Sequence, residues 1–265
     1  MKVLLTGATG FVGSHIVEEL ISNNHTIVAT VRKSSNLKWI KDYPIQYEYC
    51  SLNDEEQLSK LLSTVDVVVH CAGVVRALNW DGYYNTNVTG TKNIVQAAIK
   101  NKSNIKKFIY ISSQAAMGPS ATEEPKLLTE KENPVSYYGK SKFLAEQEVK
   151  KLEGIVPYTI IRPASVYGPR DKDIFIFFNL VKHHLKPNTH TKRFIQLVFV
   201  KDIAKVISTA LTNKDTNNKT YYLCDGNIYS WKDVATTIAK ANNIKTIPII
   251  LFDFILKLLL VFMKV

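Results

Sequence analysis

Tyr138-Gly139-Lys140-Ser141-Lys142 sets a tyrosine and a lysine four residues apart. On a helix those two side chains share a face, about 5–6 Å apart at Cβ. A phenol with a reference pKa near ~10 exchanges protons poorly at neutral pH. An ammonium beside it stabilises the phenolate and lowers that pKa, so Tyr138 is expected to serve as a general acid or base tuned by Lys142. Tyr-x-x-x-Lys alone also describes a solvated helix face, and its weight comes from company. Upstream, Ile109-Tyr110-Ile111-Ser112-Ser113 reads as a strand ending in two serines. A serine there can hydrogen-bond a substrate oxygen and orient it. Successive strand side chains point oppositely, which favours Ser113 over Ser112; the competing role for either is a helix N-cap or a turn.

Such a set needs a scaffold, and the N-terminal residues supply one. Thr6-Gly7-Ala8-Thr9-Gly10-Phe11-Val12-Gly13-Ser14 follows an apolar run directly and opens a helical pattern. Gly7 permits a tight turn, Gly10 lets a pyrophosphate approach the backbone, and Gly13 lets the helix pack closely on the strand. The helix N-terminus adds free N–H groups and a positive dipole end. A lone glycine triplet also marks ordinary turns, but strand–turn–helix is the context that a dinucleotide cradle requires. The cofactor-binding candidates here are Gly7, Thr9, Gly10, Phe11, Val12 and Gly13. The second apolar run ends Val31-Arg32-Lys33-Ser34, without the acid that would accept from a ribose 2′-hydroxyl. Arg32 can hold a 2′-phosphate bidentately with Lys33 as a point charge, so NADP(H) is expected in preference to NAD(H).

The apolar runs 2–6, 26–31, 45–49, 65–70, 107–111 and 157–162 alternate with helical stretches such as 12–23 and 138–152. Runs apolar on both faces, separated by helices, imply a parallel sheet covered on both sides. The expected fold is α/β, a doubly wound parallel sheet (Rossmann) over residues 1–165, with a further strand and helix returning from about 195–212. Residues 166–265 are expected to form mainly a small substrate-side region ending in an apolar helix. The loop from Gly118 to Pro134, with three prolines and four glutamates, is expected to be an exposed flap.

Composition narrows the partners. The 265 residues, 46% hydrophobic and 22% charged, suit a globular protein with an ordinary core rather than a disordered chain. The net charge of +11 comes without a basic run or a base-reading motif, which argues against nucleic acid. Cys50, Cys71 and Cys224 are odd in number and lack metal-ligand spacing, and the adjacent His183 and His184 diverge on a helix. No metal is expected, and buried thiols in a reducing cytoplasm fit best. No secretory leader pattern opens the sequence.

Taken with His70-Cys71-Ala72-Gly73, Asn87-Val88-Thr89-Gly90-Thr91, Arg162-Pro163-Ala164-Ser165-Val166-Tyr167-Gly168-Pro169 and Val200-Lys201-Asp202-Ile203-Ala204, these motifs form a specific set over roughly residues 1–235. The chain resembles the extended short-chain dehydrogenase/reductases, the NAD-dependent epimerase/dehydratase family. The resemblance implies Ser113, Tyr138 and Lys142 as the catalytic set, with Lys142 also holding the nicotinamide ribose. It places Ala72 and Gly73 beside the cofactor, Asn87 as a support from a neighbouring helix, and Pro163 and Ser165 near the nicotinamide amide. Where the family often has an aspartate against the adenine, this chain has Ser51, followed by Leu52. Val31-Arg32-Lys33 looks like the branch that includes dihydroflavonol-reductase-like enzymes.

Three functions follow as expectations. The first is hydride transfer between NADP(H) and a carbonyl or alcohol, with Tyr138 as acid/base. The second is a nucleotide-sugar epimerase or dehydratase that retains its NAD(P). The third is a non-catalytic dinucleotide-binding protein, against which the complete Ser-Tyr-Lys set argues. Gln114, Met117, Trp80, Tyr83, Tyr167 and Phe175 are candidates to line a small-molecule substrate site, ordinary packing being the competing role of each. The tail 247–265 is almost entirely apolar after Pro248. A helix over 249–264 is too short for a ~30 Å hydrocarbon core. It is expected to pack on the substrate region or at a homodimer interface, with peripheral membrane contact as the alternative.

Overall fold

Short runs of Val, Ile and Leu become strands because β-branched side chains suit a pleated surface covered on both faces. The computed structural model describes residues 1–120, 122, 124–189 and 194–251. In chain order the elements are β1 (Lys2–Thr6), α1 (Phe11–Ser22), β2 (Thr26–Val31), β3 (Gln46–Tyr49), α2 (Glu55–Leu62), β4 (Val67–His70), α3 (Trp80–Tyr83), α4 (Gly90–Lys100), β5 (Lys107–Ile111), α5 (Tyr137–Lys150) and β6 (Tyr158–Pro163). There follow β7 (Ser165–Tyr167), α6 (Phe175–Lys182), β8 (Leu185–Thr189), β9 (Phe194–Ile195), β10 (Leu197–Phe199), α7 (Val200–Thr212), β11 (Lys219–Leu223), β12 (Tyr229–Ser230), α8 (Trp231–Ala241) and β13 (Ile247–Leu251). A single π-helical turn, Tyr84–Thr89, joins α3 to α4, and a 3₁₀ turn, Gln114–Ala116, follows β5.

The chain divides into two compact units, Met1–Pro163 with Val200–Leu223, and Ala164–Phe199 with the residues from Cys224 onward. The first unit holds a seven-stranded sheet in the order β11-β6-β5-β4-β1-β2-β3, with every pairing parallel. This is the doubly wound fold, and strand order reverses between β1 and β4, where such sheets open a crevice beyond their carboxyl ends. Leu4, Val28, Val68, Phe108, Tyr110 and Ile160 form one layer of core with residues of α2, α4 and α5. Strand alternation turns Val3, Leu5, Ile27 and Val69 to the opposite face, where α1 packs on α7.

In the second unit β7 pairs with β10, β9 with β12 and β8 with β13. Its small core gathers Val181, Val234, Ala235, Ile238 and Ala239, with Phe177 and Phe178 packed against them. The apolar run expected as a sheet strand at 195–200 is instead two short strands of this unit. The strand that completes the large sheet is β11, reached through α7. At the tail, residues 247–251 form β13 rather than the start of a helix, paired parallel with β8. Pro248 is tolerated there because a two-stranded sheet consists only of edges. Residues 252–264 of the helix expected over 249–264 lie outside the described residues. Among the described residues no helix is long and apolar enough to cross a membrane. Cys50 is buried while Cys71 and Cys224 are only half-buried, and none is paired with another.

Candidate active site

The glycine turn is built by close approach. Gly7 has φ +75°, and a Cβ on it would meet Ala72 N at 2.7 Å. A Cβ on Gly13 would lie 2.0 Å from Gly7 O, so α1 can start over the turn only with glycine at that position. The first helical hydrogen bond runs from Ser14 N to Gly10 O, and Gly10 offers no side-chain cap. The amides of Phe11, Val12 and Gly13 therefore precede any intrahelical acceptor and face outward with the positive dipole end. A row of uncapped amides over a turn with no side chain at Gly10 fits a pyrophosphate.

A hydrogen-bonded web ties that turn to the loop after β4. Thr91 donates to Asn87 O at 2.6 Å, so its oxygen accepts from His70 Nε2–H at 2.9 Å. His70 Nδ1 then accepts from Thr6 Oγ1 at 2.7 Å, and Thr6 Oγ1 accepts from Ala72 N at 3.1 Å. Bond economy thus assigns a neutral Nε2–H imidazole. Burial, with the Lys142 charge adding to it, holds the His70 pKa down at about 3. Asn87 sits in the π-helical turn with its side chain fully engaged. Its Oδ1 accepts from Val74 N at 2.8 Å, and its Nδ2 donates to Val74 O at 3.0 Å and to Ser141 Oγ at 2.9 Å. Asn87 therefore braces the 71–75 loop against α5, and its side chain is committed within the protein rather than offered to a cofactor.

Ser136 caps α5 by accepting from Gly139 N at 3.0 Å. A Cβ on Gly139 would come within 2.3 Å of Ala115 O, so this glycine brings the helix start against the 3₁₀ turn that follows Ser113. The Ser113 side chain lies close enough to the Tyr138 phenol to lower its pKa, and accepts from Ala115 N at 3.2 Å. Ser112 points the other way and is buried. One turn on from Tyr138, Lys142 is 4% exposed. Its Nζ donates to Ile111 O at 2.6 Å and lies 4.4 Å from the centre of the Tyr110 ring, which stacks on His70. Gly73 adjoins both supports, since a Cβ there would be 3.0 Å from Asn87 Oδ1 and 3.8 Å from Lys142 Nζ.

The electrostatics differ from the expectation in one respect. Burial pushes the Tyr138 phenol above its ordinary pKa, and Ser113 offsets part of this, while Cys71 and Tyr83 raise it further. Burial lowers Lys142 to about 8, against upward contributions from Cys71 and Glu146. The ammonium therefore loses its proton before the phenol does. By itself Lys142 does not make Tyr138 acidic, because its own desolvation comes first.

The expected cofactor residues are placed unevenly. Gly7 packs against Ala72, and Gly73 against Asn87 and Lys142, so these residues form one contiguous group. Arg32 and Lys33 are exposed just past β2, where Arg32 N is held by Ser35 Oγ at 3.0 Å. Ser51 is exposed and accepts from Asn53 N at 3.2 Å, while Leu52 packs against the core and on Gly90. Pro163 closes β6 in the first unit, and Ser165 opens β7 in the second, as does Tyr167 farther along that strand and Phe175 at the start of α6. Met117 is fully buried and does not line an opening. Gln114 and Trp80 are half-buried, and Tyr83 faces Tyr138 closely enough to act on its charge.

Sequence reading missed a buried ion pair behind these residues. Glu146 accepts from Arg162 Nε at 2.9 Å and from Nη2 at 2.6 Å, and from Ser112 Oγ at 2.5 Å. Burial works against the Arg162 charge, and the bonds to Glu146 more than offset it. Removing one partner of such a pair typically costs about 3–5 kcal/mol. The available signal was the spacing 138, 142, 146, a stripe that continues along one helix face.

A family model described as "NAD dependent epimerase/dehydratase family" matches residues 3–224. The UDP-glucose 4-epimerase of Vibrio cholerae is 29% identical over 255 residues, which span 91% of this chain and 75% of that protein. A putative UDP-glucose 4-epimerase of Methanocaldococcus jannaschii is 31% identical over 238 residues, 80% of this chain and 74% of that one. Among solved structures, the Bordetella bronchiseptica enzyme WbmH in complex with NAD⁺ superposes with a TM-score of 0.81 at 27% identity, covering 95% of this chain and 85% of that one. The match runs from β1 to the residue after β11, through the glycine turn and the helix bearing Tyr138 and Lys142. The chain is an enzyme of the NAD-dependent epimerase/dehydratase family, within the extended short-chain dehydrogenases.

Proposed function

We propose that this enzyme interconverts nucleotide sugars, as an epimerase or dehydratase that keeps its dinucleotide through the cycle. The observation that carries the reading is the Tyr138 phenol on the α5 face that also bears Lys142, with Ser113 reaching it from the turn after β5. This set occurs in a chain that aligns over most of its length with UDP-glucose 4-epimerases. The dinucleotide, when bound, supplies a hydride acceptor. Tyr138 takes the proton of a sugar hydroxyl and later returns it, Ser113 orients that oxygen, and Lys142 holds the ribose and its charge. Gly7, Thr9, Gly10, Phe11, Val12 and Gly13 form the pyrophosphate cradle, while Ser51 and Leu52 face the adenine. Ala72, Gly73, Pro163 and Ser165 approach the nicotinamide half, with Asn87 bracing the loop. The second unit is assigned the nucleotide sugar.

Arg32 and Lys33 support a second reading, an NADP(H)-linked reductase. They stand exposed past β2, with no acid in place to repel a 2′-phosphate. WbmH, by contrast, was solved with NAD⁺. On this chain's own residues the 2′ side favours the phosphate, whichever reaction follows.

The test is to incubate the purified enzyme with UDP-sugars and no added coenzyme, following the sugar by NMR. Epimer or dehydrated sugar should form without net absorbance change at 340 nm, and Tyr138→Phe should abolish it. Purification without dinucleotide, together with steady consumption of added NADPH on a carbonyl panel, would replace this reading with the reductase.

A further inference from the structure

Glu146 has no part in the proposed binding or proton exchange, yet its carboxylate receives three side-chain donors. It is fully buried, two helical turns from Tyr138 and one from Lys142, on the same stripe of α5. Its oxygens bind three donors from two neighbouring strands. Arg162, on β6, gives Nε–H and Nη2–H, and Ser112, immediately before Ser113, gives its hydroxyl. Arg162 also reaches the far end of the Ser113 turn, where Nη1 lies 3.2 Å from Met117 Sδ. Met117 O in turn receives Asn133 N at 3.0 Å and Lys126 Nζ at 3.0 Å, which closes the base of the 118–134 loop. Both ends of the Ser113 turn are therefore fastened to one ion pair.

We propose that the Glu146–Arg162 pair is a positioning device for the reaction, holding the Ser113 turn and the Tyr138–Lys142 face of α5 in a single register. The inference rests on the assignment of Ser113, Tyr138 and Lys142 as the reacting set. Glu146 and Arg162 touch no substrate and act through those three residues. A satisfied bidentate carboxylate fixes direction as well as distance, which an apolar contact of equal volume does not. The pair also sets a local charge. Lys142 is faced by Cys71 from the loop after β4, by His70 and the Tyr110 ring from β4 and β5, and by Tyr138 and Glu146 from its own helix. Glu146 is faced by Arg162, with Glu132 3.5 Å from the same guanidinium. Of the pair, the Glu146 carboxylate raises the Lys142 pKa against the burial that lowers it.

The experiment follows the Lys142 ammonium by ¹⁵N-lysine NMR across pH, its signal assigned with Lys142→Met, and turnover in parallel. Glu146→Gln should lower the Lys142 midpoint by about one pH unit and carry the alkaline limb of the pH–rate profile with it. Glu146→Gln with Arg162→Met removes both charges of the pair together and keeps the comparison available if the single variant does not fold. Its midpoint should lie below the wild type's by a smaller margin. Ser112→Ala keeps both charges, so its midpoint should match the wild type's while kcat falls about tenfold at unchanged KM. A wild-type midpoint in both Glu146 variants, or wild-type turnover in Ser112→Ala, overturns the proposal. If no nucleotide sugar is converted, the functional reading fails, and the NMR midpoints still decide this one.

Discussion

Lys142→Met tests the site through stability. The Lys142 ammonium is almost wholly removed from water, and among the described residues its direct partners are Ile111 O and the Tyr110 ring rather than a carboxylate. Its pKa falls from 10.5 to about 8 on folding, chiefly through desolvation. The unfolded chain therefore binds more protons than the native one between about pH 8 and 10.5, and native stability rises with pH across that window. Below pH 8 the full cost of burying the charge, about 3 kcal/mol, is present; by pH 10 most of it is gone. Urea unfolding of wild type and Lys142→Met under reducing conditions isolates this group, because every other lysine and tyrosine is common to both proteins. The wild type should gain about 2–3 kcal/mol relative to the variant between pH 7 and pH 10. A difference constant to within about 0.5 kcal/mol would show that the ammonium is solvated and the site more open than described.

Two further outcomes follow. Gly13→Val places a side chain where only 2.0 Å separates its Cβ from Gly7 O; dinucleotide binding by calorimetry should be lost together with the native circular dichroism of α1, and a variant that binds normally would remove the close-approach argument. Arg32→Ala with Lys33→Ala should raise the Kd for NADP⁺ at least about tenfold and leave that for NAD⁺ within about twofold; equal effects on both would mean that these cations do not meet a 2′-phosphate.

Much of the frame was legible because its signals are local. The glycine turn announces itself between an apolar run and a helical pattern, and Tyr138 and Lys142 share a face by spacing alone. Strand alternation predicts that Ser112 and Ser113 point oppositely, and Ser112 donates to Glu146 while Ser113 lies near Tyr138. What escaped reading is non-local. Glu146 and Arg162 meet only because α5 lies across β5 and β6, and a buried ion pair leaves no mark in composition. The π-helical turn that seats Asn87 depends on Val74 and Ser141, far apart in sequence. Ile247–Leu251 reads as helix by apolarity, yet pairing with β8 makes it a strand. Pairing alone predicts a lowered Tyr138 pKa, but burial raises the phenol and lowers the Lys142 ammonium, and the resulting order is not legible in the spacing.

That order makes the central claim measurable. Lys142 is held in a desolvated site next to Gly73, and on the proposed function the Tyr138 phenol becomes a usable acid or base when the positive nicotinamide ring joins it. Phenolate absorbance near 295 nm, recorded as wild type minus Tyr138→Phe across pH, isolates this one tyrosine. Without coenzyme its midpoint should lie above 10, and saturating oxidised coenzyme should bring it down by at least about one pH unit. A midpoint that ignores the coenzyme would contradict the account, because Tyr138 would then not lie beside the nicotinamide.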